Sequence, residues 1–351
     1  MTKTVIMVWF KNDSGTYPSG SVKSFGLGDL LRGTIFLHQM SAKFGFNFAV
    51  DIRRHHISQC LVVNPHGRND DSQNEYVDAN MHNIKIVTTT NPMTNSEYEV
   101  ANFNAIYNAS LITPEPLLIC TNLFCNEHLS VECKQFMKTL LTPNESFAKY
   151  INQQNALYKV SAPYSILHIR LGDDEFFKNK SVNNSHMNDA IKILKQHTMP
   201  GDILMSNSHR FKNMVKSLHG HGGIAMFNTR PLHLGELTTT FHDVAESFKE
   251  TLYEFFTLIN ASILKTYSVY EHVSGFVKSA GLIYDIRFID LKQRPSITHR
   301  ENSDDTVVSS ASNKSMDSMR FKPTIFIHRS CATPNHYATS NQQNIIFTMK
   351  R

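Results

Sequence analysis

Short apolar runs recur along the chain, and between them apolar residues return every three or four positions. Such alternation predicts buried strands joined by helices, the signature of βα units in largely parallel sheets. In the first half the strands are expected at Val5–Phe10, Phe46–Val50, Ile84–Thr88 and Leu117–Cys120. In the second half they are expected at Ser165–Arg170, Ile203–Ser206, Ile224–Phe227 and Ile263–Thr266. Two helices stand out. Leu27, Leu30, Leu37, Met40 and Phe44 share one helical face directly after Gly26-Leu27-Gly28-Asp29, and Phe241, Val244, Phe248, Leu252, Phe255 and Ile259 form a longer stripe. Both stripes read as core packing.

The polar stretch from Ser146 to Pro163 divides the two sets of strands and reads as a domain boundary. The expected organisation is an N-terminal Rossmann-like domain over 1–155, a C-terminal one over 156–297, and a last segment, 298–351, that packs back. Within that segment Thr298–Met319 is rich in Ser, Asn and Asp and reads as a mobile loop, and Thr324–His328 as one more strand. No internal repeat is visible. A length of 351 residues is long for one core and suits two α/β domains.

Composition narrows the function classes. A hydrophobic content of 41% and a charged content of 19% describe an ordinary globular chain. The net charge of +5 is mild and its basic residues are scattered, which suits a small anionic ligand and argues against nucleic acid. Cys60, Cys120, Cys125, Cys133 and Cys331 are odd in number and irregular in spacing, so they read as free thiols. The apolar run after Met1 is a first strand and too short for a signal peptide, and no stretch is long enough to span a bilayer. The sequons at Asn108, Asn144 and Asn260 read as chance, and the expected location is cytoplasmic. His55-His56 and His219-Gly-His221 lack partners at metal-ligand spacing, so no metal or cofactor is expected.

Three segments carry chemistry. Tyr164 to Glu175 is an apolar strand that delivers His168 and Arg170 at its carboxyl end, followed by a glycine turn and Asp173, Asp174 and Glu175. Ligands of parallel sheets bind outside those strand ends. A guanidinium there matches two phosphate oxygens, and the carboxylates could take a proton from an acceptor hydroxyl. The same residues also read as a solvated strand end. Phe25 to Gly33 places Gly26 and Gly28 at a strand-to-helix connection, where free N–H groups can meet an anion, with Asp29 and Arg32 in the first turn. Val269 to Gly281 contains Ser274-Gly275, which opens a helix and could bind phosphate or simply cap it.

Together these segments resemble the superfamily of α-1,2-, α-1,6- and protein O-fucosyltransferases. The resemblance rests on Gly26-Leu-Gly-Asp29-Leu-Leu-Arg32, His168-Ile-Arg170-Leu-Gly-Asp173 and the Ser-rich stretch from Ser268 to Ser279, and covers about residues 1–295. It implies an α/β fold of the GT-B type, two Rossmann-like domains facing across a cleft. The activity it implies is inverting, metal-independent transfer of fucose from GDP-fucose to a glycan hydroxyl. Arg170 would neutralise charge on the leaving diphosphate. His168 would shape the nucleotide pocket, and Ser206, Asn207, Ser274 and Gly275 would contact the donor, with Gly26, Gly28 and Arg32 facing it from the other domain. The base would be Asp173, Asp174, Glu175 or Asp29. Many relatives carry a second arginine where this chain has Leu171.

Three other readings fit parts of the pattern. The first is a GT-B transferase using GDP-rhamnose, GDP-mannose or UDP-xylose. Another is a metal-dependent GT-A enzyme with Asp173-Asp174-Glu175 on the cation. The third is an inactive protein that binds a nucleotide sugar or glycan. The acceptor would meet N-terminal loops such as Asn64 to Asn83, which read only as polar.

Overall fold

The computed structural model describes residues 2–10, 25–64, 71–89, 96–124, 128–172, 184–219, 224–227 and 241–292, with backbone alone at 219 and 241–247. All of these belong to one unit, Met1–Ser296. The loop expected at Thr298–Met319 and the strand expected at Thr324–His328 lie outside the described residues.

The first half runs β1 (Thr4–Phe10), α1 (Leu27–Phe44), β2 (Asn47–Arg54), α2 (Asp71–Ala79), β3 (Lys85–Val87), α3 (Ser96–Ser110), β4 (Leu117–Thr121), α4 (Val131–Leu140) and α5 (Glu145–Leu157). Its four strands form a parallel sheet in the order β2-β1-β4-β3. The second half runs β5 (Ser165–Arg170), α6 (Asn184–His197), β6 (Asp202–Ser206), α7 (His209–His219), β7 (Ala225–Met226), α8 (Phe241–Ile259), β8 (Ile263–Ser268), α9 (Gly275–Tyr284) and β9 (Arg287–Asp290). Its five strands form a second parallel sheet, β7-β6-β5-β8-β9.

The central strands β1 and β5 are covered on both faces, which is why each reads as a continuous apolar run rather than an alternating one. Around β5 the two faces serve different helices. Leu167, Ile169 and Leu171 pack with Met187, Ala190 and Leu194 of α6 and with Phe211 and Val215 of α7. Ile166 belongs instead to a core that continues through Phe255 of α8 and Val277 of α9 into β1 and α1. α9 packs against α1, α4 and α8, so the two halves share that core.

The amino ends of both sheets are held by buried cations. Lys3 Nζ donates to the carbonyls of Ser110 (2.6 Å), Thr113 (2.9 Å) and Glu115 (2.5 Å). Burial pulls its pKa below the usual lysine value. Lys265 Nζ reaches Asp202 Oδ2 at 2.6 Å and the His197 carbonyl at 3.0 Å, and Ser165 donates to the other Asp202 oxygen. These clamps leave the carboxyl ends of the strands for other use.

Three sequence readings need correction or addition. The polar stretch from Ser146 to Pro163 is largely helix α5: Asn144 caps it by accepting from the Phe147 N–H at 2.9 Å, and Phe147 is buried. The region Asn64 to Asn83 contains helix α2 and a 3-10 turn at Met81–Asn83 rather than loops alone. Strand β9 was not anticipated, because Arg-Phe-Ile-Asp is too short and too polar at its ends to signal one. Cys60, Cys120 and Cys133 are buried and in no disulfide among the described residues, whereas Cys125 and Cys331 lie outside them. Among the described residues no helix is long and apolar enough to cross a membrane.

The packing of α1 depends on Gly33. A Cβ there would sit 1.9 Å from the Thr121 carbonyl oxygen at the end of β4. Backbone cannot yield as a side chain can, so Gly33→Ala is expected to destabilise the fold by about 2 kcal/mol or more. Denaturant unfolding would read this as a lowered midpoint with an unchanged slope.

Candidate functional site

In the second sheet the chain lays down β5, β6 and β7 in one direction and then crosses to β8 and β9 on the other side of β5. The order reverses between β5 and β8, and in open parallel sheets ligands bind outside the carboxyl ends at such a switch point. Arg170 pairs with Ser268 there, and Ile169 with Ser206. Strand periodicity puts His168 and Arg170 on one face of β5 and Leu167, Ile169 and Leu171 on the other. Leu171 is only 2% exposed and packed among the side chains of α6 and α7. A second arginine at this position would therefore enter an apolar cluster rather than join Arg170.

The peptide between Arg170 and Leu171 is tied on both sides. Its carbonyl accepts from the Val269 N–H at 3.0 Å. The Asn207 carboxamide accepts from the Leu171 N–H at 2.9 Å and donates to the Gly172 carbonyl at 2.6 Å. Gly172 has φ +89°, which turns the chain away from the sheet. The Arg170 guanidinium lies over the Tyr270 ring at 5.6 Å, and Tyr270 stacks on His272 with centroids 5.4 Å apart and planes at 10°. Neither aromatic residue was singled out from the sequence, because their relation to Arg170 exists only once β8 lies beside β5.

His168 is buried, and its Nδ1 lies 3.4 Å from the Thr266 hydroxyl. Burial, reinforced by the charges of Arg170 and Lys212, pushes its pKa down to about 3, so the ring is neutral near pH 7. Lys212 is itself buried and paired with Glu254 at 3.2 Å, joining α7 to α8. This pair also went unread in the sequence, where each residue looks like one more charge on a helix.

Two helix N-termini meet beside Arg170's strand end. Ser274 is the residue before α9; it is 3% exposed, its side chain makes no capping bond, and its hydroxyl has no hydrogen-bond partner. The start of α1 lies against it. A Cβ on Gly28 would come 2.7 Å from the Phe276 nitrogen and 2.9 Å from the Gly275 carbonyl carbon, so the backbones are in contact. The first N–H groups of each helix lack intrahelical partners, and both macrodipoles present positive ends. One turn further along α1, Arg32 pairs with Asp29 at 2.8 Å and lies over Phe124 at 5.5 Å. Its Nε is buried without a partner.

The described residues thus form two α/β halves on parallel sheets, the second in the 3-2-1-4-5 order of a Rossmann half and the first in the order 2-1-4-3, with the start of α1 set against the start of α9. No model of a known protein family matches the chain, and no curated protein does. Among solved structures it is similar in fold to NodZ alpha-1,6-fucosyltransferase co-crystallized with GDP, at 11% identity, covering 80% of this chain and 93% of that one, with a TM-score of 0.42. It is similar also to the fucosyltransferase NodZ from Bradyrhizobium, at 11% identity, 80% and 94% coverage and a TM-score of 0.45. A third is a mutant of Arabidopsis thaliana FUT1 in complex with GDP, at 11% identity, 82% and 70% coverage and a TM-score of 0.46.

The expected site residues fall into groups. Arg170, Ser274, Gly275, Gly26, Gly28, Asp29 and Arg32 belong to the strand end and the two helix starts just described. Ser206 is buried, and its Oγ accepts from the Ser208 N–H at 3.2 Å, while Ser208 accepts from the Phe211 N–H at 3.0 Å and caps α7. Asn207 is engaged with the backbone after β5. Asp173, Asp174 and Glu175 lie outside the described residues. A cavity of about 660 Å³ opens elsewhere, around Tyr164, Asp202 and Phe227 at the amino ends of β5 to β7, and it contains none of the residues considered for chemistry.

The buried imidazole has a stability consequence of definite sign. The unfolded chain binds a proton at His168 below its ordinary value near 6.5, and the folded chain does so only near 3, so stability is complete above that window and is lost as pH falls through it. Between about pH 7.5 and about pH 5, wild type is expected to lose about 2 kcal/mol more than His168→Gln, measured by denaturant unfolding at both pH values. Ser274 behaves differently, because its hydroxyl has no bond to lose in the free protein. Ser274→Ala should keep the thermal midpoint while weakening pyrophosphate binding about tenfold in calorimetry.

Proposed function

We propose that the chain is an inverting, metal-independent glycosyltransferase that moves fucose from GDP-fucose to a hydroxyl of a glycan. The observations that carry this reading are that Arg170 ends β5 beside β8 at the switch point of the second sheet, and that the helix after β8 opens with the buried, unpartnered Ser274 hydroxyl. A diphosphate needs several donors and a cation converging on adjacent oxygens. The motif resemblance supplies the identity of the donor.

In this reading the acceptor oxygen attacks the anomeric carbon of the sugar as its bond to the diphosphate oxygen breaks, which inverts that centre. Negative charge then grows on the departing GDP. Arg170 meets it with a planar guanidinium whose orientation is held by Tyr270 and by the tethered peptide that follows it. Ser274 donates its hydroxyl proton to a phosphate oxygen, and the free N–H groups of α9 and α1 face the same charge. A neutral His168 beneath them adds no competing charge and offers a ring nitrogen to the nucleotide.

The acceptor proton goes to a carboxylate, with Asp173, Asp174, Glu175 and Asp29 as the choices. Asp29 already holds Arg32 through Oδ1. That pairing favours a role in fixing Arg32, and leaves the acids after Gly172 as the stronger choice. The acceptor would bind against the first half, and a cytoplasmic location remains part of the proposal.

Turnover of GDP-fucose, read as GDP release with and without EDTA, tests the reading, with other nucleotide sugars as controls. Arg170→Ala is expected to lower kcat by about 100-fold or more, with Arg170→Lys between it and wild type, and EDTA should have no effect. Preference for another nucleotide sugar would keep the transferase and change the donor. Loss of activity in EDTA would favour a metal-dependent enzyme. Binding of the donor without turnover would make the protein a binder.

A further inference from the structure

We propose that Asn207 is a positioning residue: its carboxamide splints the end of β5 and thereby sets the direction of Arg170. This rests on the reading of Arg170 as the diphosphate ligand, and it changes the role expected of Asn207, which was contact with the nucleotide itself.

β5 and β6 pair in register up to Ile169 and Ser206. Beyond that point the β6 backbone leaves the sheet, since Ser206 and Ser208 begin the turn that caps α7. Asn207 takes over where the backbone stops. Its Oδ1 accepts the Leu171 N–H and its Nδ2 donates to the Gly172 carbonyl, so one planar amide holds the two residues that follow Arg170. On the opposite side, the Arg170 carbonyl is held by the Val269 N–H. The peptide that follows Arg170 is therefore held from both sides, just before Gly172 (φ +89°) turns the chain. Both polar atoms of Asn207 serve this backbone.

Asparagine suits the task in a way close analogues do not. Aspartate keeps the acceptor for Leu171 but sets an anionic oxygen against the Gly172 carbonyl. Alanine removes both bonds. Loss of a positioning residue should leave donor affinity nearly intact and reduce the fraction of bound donor that reacts.

The test has two arms on Asn207→Ala and Asn207→Asp. In the first, amide exchange is measured on the free protein, with the Ile166 and Leu167 amides within β5 as controls for an intact fold. The Leu171 amide should exchange at least about tenfold faster in Asn207→Ala and less so in Asn207→Asp, while the controls hold. In the second arm, GDP-fucose turnover should fall about tenfold or more in kcat, with KM within about threefold of wild type. Unchanged Leu171 exchange in Asn207→Ala overturns the splint. Faster exchange with wild-type turnover overturns the link to Arg170, and a loss confined to KM would make Asn207 a donor contact instead. If wild type turns over no nucleotide sugar, the transferase reading fails separately, and the exchange arm still decides whether Asn207 holds the turn. Should Asn207→Ala not fold, Asn207→Asp carries both arms alone.

Discussion

The contact on which the site depends is backbone against backbone, where the start of α1 meets the start of α9 at Gly28 and Gly275–Phe276. Without it the two sheets would be neighbours that share some apolar surface. With it, two helix N-termini from different halves of the chain face one region, and the strand end carrying Arg170 opens beside them. Side chains could not bring the helices this close, because any Cβ on Gly28 would overlap the Phe276 nitrogen. The shared core running from β1 through α1 and α9 to α8 holds the approach in place.

The charges at this place are arranged so that a ligand completes them. Ser274 keeps a buried hydroxyl without a partner, and Arg32 keeps a buried Nε in the same condition. Groups left so in a folded protein cost free energy, and a bound anion that accepts from them would recover it. His168 is deeper and differently treated: burial and two cations keep it uncharged. Other buried cations are already satisfied: Lys212 by Glu254 near His168, and, at the amino ends of the sheets, Lys3 by three carbonyls and Lys265 by Asp202 and a carbonyl.

Much of this was legible in the residues. β5 falls at Ser165–Arg170, as its apolar run indicates, and the helix starts at Leu27 and Gly275 follow from glycine and serine before apolar periodicity. What escaped reading was either too short or too distant. β9 has only four residues, Arg-Phe-Ile-Asp, polar at both ends, and no apolar run declares it. In α5, Phe147 is the one side chain fully buried, so a true helix looked like a polar connector. The roles of Asn207, Tyr270 and Lys212 are set by partners tens of residues away, and nothing in their immediate neighbours in sequence signals them.

Strand β5 also carries a kind of reading frame. His168 and Arg170 occupy its even positions, and Leu167, Ile169 and Leu171 its odd ones, each set matched to a different layer of helices. Insertion or deletion of a single residue within the strand would exchange the two sets, sending a guanidinium into the cluster of α6 and α7 and a leucine to the site. Variation here is therefore confined to substitutions that respect parity. A sheet that tolerates changes of length in its connections tolerates none in this strand, and the chemistry is fixed to the fold by the phase of six residues.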